Sequence, residues 1–144
     1  MKNERKIREY LGDRYHLNVQ YTENGEIKWK LFKKYNGWLY DNSEAIMTGD
    51  KSTEDDLIKF AKKHRDYNES LILSKSMIII ATINLFIAVA NCFFKNVFLR
   101  GFVNGANFIV ILISFIKIRI SSKRLKVSEL ECKEALERLM KENK

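Results

Sequence analysis

Proline is absent from the 144 residues. No pyrrolidine ring forces a break between Thr53 and Phe94 or between Gly105 and Lys144, so helices that run on from a membrane into water are permitted. Cysteine is scarce. Cys92 lies in an apolar stretch and Cys132 in a charged tail, on opposite sides of a basic run, which argues against an intrachain disulfide. No Cys-x-x-Cys pair or Cys/His cluster suggests structural zinc. The histidines are His16 and His64. Neither has a serine, cysteine or carboxylate nearby in a nucleophile pattern, and both read as solvated or rim residues. Phosphate-loop and dinucleotide-binding fingerprints are missing. The polar N-terminus, MKNERKIREY, lacks the apolar centre of a cleavable signal peptide. These absences lead to the expectation of a non-enzymatic protein with no cofactor and no metal.

Two long apolar stretches, by contrast, stand side by side. Ser76–Phe94 carries no charge, and Val97–Ile116 carries one, Arg100. Each approaches the roughly 20 residues that a helix needs to cross a hydrocarbon core. A pair of helices joined by a few residues satisfies its backbone internally and reads as a transmembrane hairpin. With no Asp or Glu in either stretch, a proton-coupled transporter is disfavoured. The expected organisation is a small cytoplasmic α+β domain over residues 1–70, a two-pass hairpin over 71–118, and a basic juxtamembrane segment with an amphipathic helix over 119–144.

The net charge is +8, unevenly distributed. Acids and bases nearly balance as far as Lys75, whereas Lys117, Arg119, Lys123, Arg124 and Lys126 follow the second stretch with no acid among them. Such a cluster is drawn to anionic lipid headgroups by about 1 kcal/mol per basic residue. A bilayer therefore accounts for much of the charge, and nucleic acid is disfavoured as a partner. Basic residues flank the hairpin on both sides, against only Lys95 between the stretches and Arg100 near the start of the second. This places both termini in the cytoplasm and the protein in the inner (plasma) membrane.

Polar residues inside the stretches point to helix packing. Asn84 and Asn91 are seven apart, Asn104 and Asn107 three apart, and Ser114 follows Asn107 by seven. Gly101 and Gly105 form a Gly-x-x-x-Gly pattern that lets backbones approach closely. The expectation is a packed hairpin that also forms a homo-oligomer. In the alternative, several copies turn the asparagines toward a shared, water-admitting interior, and the protein is a pore-forming effector gated by its cytoplasmic domain.

The N-terminal part alternates in period. Asn3–Leu11 reads as a short helix stopped by Gly12, and Tyr15–Tyr21 as a half-buried strand. Asn24-Gly25 marks a hairpin turn and Ile27–Phe32 the return strand. A second turn at Asn36-Gly37 leads to a third strand at Trp38–Tyr40, with a weak fourth at Ala45–Thr48. Thr53 reads as the cap of a helix whose first turn holds Glu54, Asp55 and Asp56. The strand order broadly resembles the double-stranded RNA-binding domain. Those domains grip phosphates with a basic start to the last helix, and this acidic one would repel them, so the family is not assigned.

Lys28, Lys30, Phe32 and Lys34 mark one face of the second strand, and with Trp38 or Tyr40 they form the candidate ligand-binding face. A purely solvating lysine face is the competing reading. Beyond the basic run, Cys132, Ala135, Leu136, Leu139 and Met140 form an apolar stripe with three open destinations: the N-terminal domain, another copy, or the membrane surface. Taken together, the residues suggest a two-pass membrane regulator, adaptor or effector whose cytoplasmic domain binds a protein or small-molecule partner. A membrane-tethered RNA- or nucleotide-binding module is a second alternative.

Overall fold

The computed structural model describes residues 1–34, 44–93 and 97–142. The order is α1 (Glu4–Leu11), β1 (Tyr15–Tyr21), β2 (Ile27–Lys33), β3 (Met47–Asp50), α2 (Glu54–Asn91) and α3 (Val97–Glu142), with single 3-10 turns at Gly12–Arg14 and Lys51–Thr53. The chain divides into two units: Met1–Asn68 together with Ser128–Lys144, and Glu69–Val127.

The first unit is α+β. Helix α1 buries Ile7 and Leu11, and Glu4 braces its exposed side through Arg8 at 2.7 Å. Gly12 ends it at a φ of 55°, where a side chain would be strained. Gly25, at φ 76°, tightens the β1–β2 connection, and its N–H donates to the Thr22 carbonyl at 2.9 Å. The sheet is antiparallel in the order β1-β2-β3, with Leu17 opposite Leu31, Val19 opposite Trp29, and Met47 opposite Leu31.

Because side chains alternate along a strand, Leu17, Trp29, Leu31 and Met47 all point to one face. They pack there with Ile7 and Leu11, with Leu57, Phe60 and Ala61 of α2, and with Leu139 of α3. The C-terminal apolar stripe thus belongs to the core of the N-terminal unit. It is the end of α3 itself, since that helix continues unbroken through Ser128.

The strand Met47–Asp50 overlaps the weak fourth strand expected at Ala45–Thr48, and the expected strand at Trp38–Tyr40 lies outside the described residues. Two details depart from the sequence reading. The turn into α2 is capped by Asp50, whose Oδ1 accepts from the Ser52 N–H at 2.9 Å, while Thr53 Oγ1 accepts from the Asp50 N–H at 3.2 Å. Asp50 wins the cap because its backbone is still extended as the strand ends. Finally, His64 is a core residue at 3% exposure. Its ring meets the edge of Tyr15 at 4.8 Å, and Asn68 Nδ2 approaches its Nδ1 at 3.3 Å.

The second unit pairs the middle of α2 with the first part of α3. From Ser70 the shielded positions on α2, Leu71 aside, run Ser74, Met77, Ala81, Asn84, Ala88 and Asn91, in alternating steps of four and three. From Asn107 those on α3 run Ile111, Ser114, Ile118, Ser121 and Leu125 in the same rhythm. This 3.5-residue repeat keeps one stripe of each helix facing its partner. Both helices carry a stretch long and apolar enough to cross a membrane.

Candidate functional site

Two regions gather the candidate residues. The first is the outer face of the sheet, opposite the core. Lys28 and Lys30 are exposed and Phe32 is half-buried along β2, and Lys34, just beyond it, is half-buried as well. The register places Gln20 beside Lys28, Asn18 beside Lys30 and His16 beside Phe32, with Thr48 and Asp50 of β3 flanking Lys30 and Lys28. His16 and Phe32 rings lie 6.4 Å apart. Burial, with Lys34 and Arg8 adding like charge, holds the His16 imidazole below its ordinary range. Trp38 and Tyr40 lie outside the described residues. Trp29, the aromatic between Lys28 and Lys30, points the other way into the core.

This face offers cations, amides and one aromatic ring. The arrangement can hold an anionic or planar group by hydrogen bonds and stacking. Among the described residues, no group of three or more His, Cys, Asp or Glu is placed to hold a metal ion.

The second region is the seam of the Glu69–Val127 unit. Asn107 is buried, and its Nδ2 donates to the Asn84 carbonyl at 2.9 Å, tying α3 to α2. The Asn84 amide turns back along its own helix to the Ile80 carbonyl, also at 2.9 Å. Asn91 and Ser114 are buried as well. Asn91 Nδ2 and Ser121 Oγ have no hydrogen-bond partner among the described residues.

The large apolar side chains point the opposite way. Ile79 is 60% exposed, Phe86 70% and Phe115 66%. Among the described residues, the buried positions of the unit are all serine or asparagine, while its largest apolar side chains face outward.

The asparagines therefore separate. Asn107 joins Asn84, Asn91 and Ser114 on the seam, whereas Asn104 is exposed on α3. Gly101 and Gly105 are exposed with it, and a Cβ built on either glycine meets nothing within 4 Å. Among the described residues, the Gly-x-x-x-Gly pattern thus takes no part in packing α3 on α2. It shares an outward stripe with Asn104 and Phe108, spaced at i, i+3, i+4 and i+7.

Sequence reasoning passed over Ser70 and Ser121, which are buried, as is Ser128. The signal was present: Ser121 and Ser128 continue Asn107 and Ser114 at intervals of seven. It was hidden because the basic run around them drew attention to charge. Lys117, Arg119, Lys123, Arg124 and Lys126 are all exposed on α3. No protein-family model matches this chain, nor does any curated protein or solved structure.

Proposed function

We propose that this chain is a two-pass membrane protein of the inner (plasma) membrane with both termini in the cytoplasm, and that its α+β unit binds a partner there as a non-enzymatic regulator, adaptor or effector. The observation that carries the membrane reading is the inverted polarity of the Glu69–Val127 unit. A soluble helical pair buries its isoleucines and phenylalanines and exposes its asparagines and serines. Here Asn91, Asn107, Ser114 and Ser121 are inside while Phe86, Phe108 and Phe115 are outside. In water that surface would be a large apolar patch. In lipid it is the expected arrangement, because small and polar residues glue helices together where the hydrophobic effect no longer does.

The outer sheet face supports the binding role. Lys28, Lys30, Phe32 and Lys34 line a surface that the core does not use, and an anionic partner or ligand fits its charge. Self-association fits the outward stripe of Gly101, Asn104 and Gly105. A lipid-facing amide with no side-chain partner among the described residues gains a hydrogen bond when a second copy docks on the glycines. The polar seam favours packing over a pore, since Asn107 is tied to the Asn84 carbonyl and Asn91 and Ser114 are buried on the same stripe of one hairpin.

Membrane insertion is tested by washing membranes from expressing cells at alkaline pH. The intact chain is expected to stay in the pellet and to dissolve only in detergent, with a tag at Lys144 accessible from the cytoplasmic side alone. Release by the alkaline wash would overturn the membrane reading, and a tag reached from outside would overturn the orientation.

A further inference from the structure

Where the apolar stretches give way to the basic run, α2 and α3 leave a groove of 260 Å³ between them. Leu73 and Met77 from α2 and Ile120 from α3 supply its apolar surface, and Lys117, Ser121 and Arg124 its polar one. The three polar residues stand at i, i+4 and i+7, one stripe about 10 Å long at 1.5 Å per residue. No acid lines the groove. Among the described residues, neither Lys117 nor Arg124 has an ion-pair partner.

Ser121 is the telling member. It is only 6% exposed, and its Oγ has no hydrogen-bond partner among the described residues. A serine in a helix ordinarily returns its hydroxyl to the carbonyl one turn earlier, as Ser76 does to Ile72 at 2.9 Å. A buried hydroxyl left unpaired is unfavourable unless a ligand completes it.

We propose that this groove is a binding site for one anionic phospholipid. Its phosphate sits between the Lys117 ammonium and the Arg124 guanidinium and accepts from the Ser121 hydroxyl. An acyl chain lies on Leu73, Met77 and Ile120. The site rests on the membrane reading above. The apolar surface separates it from a site for a free anion, which would gain nothing from Leu73 or Met77. The position suits it too: Lys117 follows the last residue of the second apolar stretch, and long basic side chains at such a boundary reach toward the phosphate layer. Arg119, Lys123 and Lys126 do not line the groove, so they attract the membrane only diffusely.

That division is the basis of the test. The intact chain in detergent is titrated with phosphatidylglycerol, with phosphatidylcholine and with inorganic phosphate, and bound molecules are counted by native mass spectrometry. Flotation with phosphatidylglycerol vesicles is run in parallel. Two variants remove equal charge, Lys117→Gln with Arg124→Gln and Arg119→Gln with Lys123→Gln. One phosphatidylglycerol is expected per chain, with the first variant weakening it about tenfold or more and the second by less than about threefold. Ser121→Ala is expected to weaken it while leaving the lipid-free chain at least as stable.

Equal losses in the two double variants, or equal retention of phosphatidylcholine, would overturn the site. Inorganic phosphate binding as tightly as the lipid would make it a free-anion site instead. A chain that floats with vesicles but fails these comparisons loses only the groove. A chain that does not float loses the membrane reading, and the groove with it.

Discussion

Gly49 lies directly opposite Trp29 across the β2–β3 ladder, so close that a Cβ added to it would overlap the indole ring and the Thr53 hydroxyl. The ring itself is fully buried, and its Nε1 donates to the Asp50 carbonyl at 2.9 Å. Asp50 in turn caps the turn into α2. One missing side chain therefore seats the largest core residue and, through it, the start of the long helix.

Gly49→Ala is expected to destabilise the α+β unit by about 1–3 kcal/mol, the usual range for forcing extra volume into a packed site. Pulse proteolysis along a denaturant series of the intact chain in detergent reads the change in every variant. The penalty should shrink when Trp29→Phe is made as well, because the smaller ring vacates the contested space. A double-mutant cycle with no coupling would mean that the overlap is not its source.

Leu139 is fully buried among residues from the other end of the chain. Leu139→Ala is expected to cost about 2–5 kcal/mol, as for other large-to-small core changes. Ending the chain after Val127 removes the same contact together with the Lys63–Glu131 ion pair. Limited proteolysis should then cut within residues 1–68 at rates that the intact chain resists.

These two positions show what was legible beforehand. Local signals carried the short helix to Gly12, the turn at Asn24-Gly25 and the alternation in the first two strands, since each depends on neighbours within a few residues. The destination of Leu139 was not legible: an amphipathic stripe specifies that something covers it, not what. His64 was misplaced for the same reason. Its neighbours Lys62, Lys63 and Arg65 look solvated, whereas Tyr15, brought in by β1, and the Tyr10 carbonyl close over the ring from distant parts of the chain. The outward turn of Gly101 and Gly105 was equally hidden, because a small-residue motif does not say which neighbour it serves.

His64 gives the unit a pH dependence of definite sign. Burial holds its imidazole below the ordinary value of 6.5, and Arg14 adds to that, against the Tyr10 carbonyl. Arg14 and the Tyr15 phenol approach from around β1, and Cys132, whose thiol burial pushes up, lies beside Tyr15 from α3. Above pH 6.5 the residue is neutral folded or unfolded, and stability is complete. As pH falls below 6.5 the unfolded chain takes the proton first, so stability is lost down to the folded value. The slope cannot exceed about 1.4 kcal/mol per pH unit for one proton. His64→Gln should flatten most of it, and the remainder should follow His16, which shifts in the same direction. Denaturation midpoints between pH 7 and pH 5 that fall equally in parent and variant would assign the effect elsewhere.

Asn107 and Asn91 make a contrasting pair on the polar seam. Asn107 bridges the helices through the Asn84 carbonyl, and Asn107→Leu should weaken the hairpin by about 0.6–1.7 kcal/mol, from the average to the maximum measured for such bonds in membranes. Asn91 is buried with its Nδ2 unpaired among the described residues, so Asn91→Leu removes an unmet donor and should be neutral or stabilising. Unfolding of the two variants by a denaturing detergent reads both signs. Dye release from vesicles holding the intact chain separates packing from conduction. If the asparagines serve the seam, Asn84→Leu with Asn91→Leu changes stability without changing leakage. If leakage occurs and that double variant abolishes it, the asparagines line a pore, and the seam must open when copies assemble.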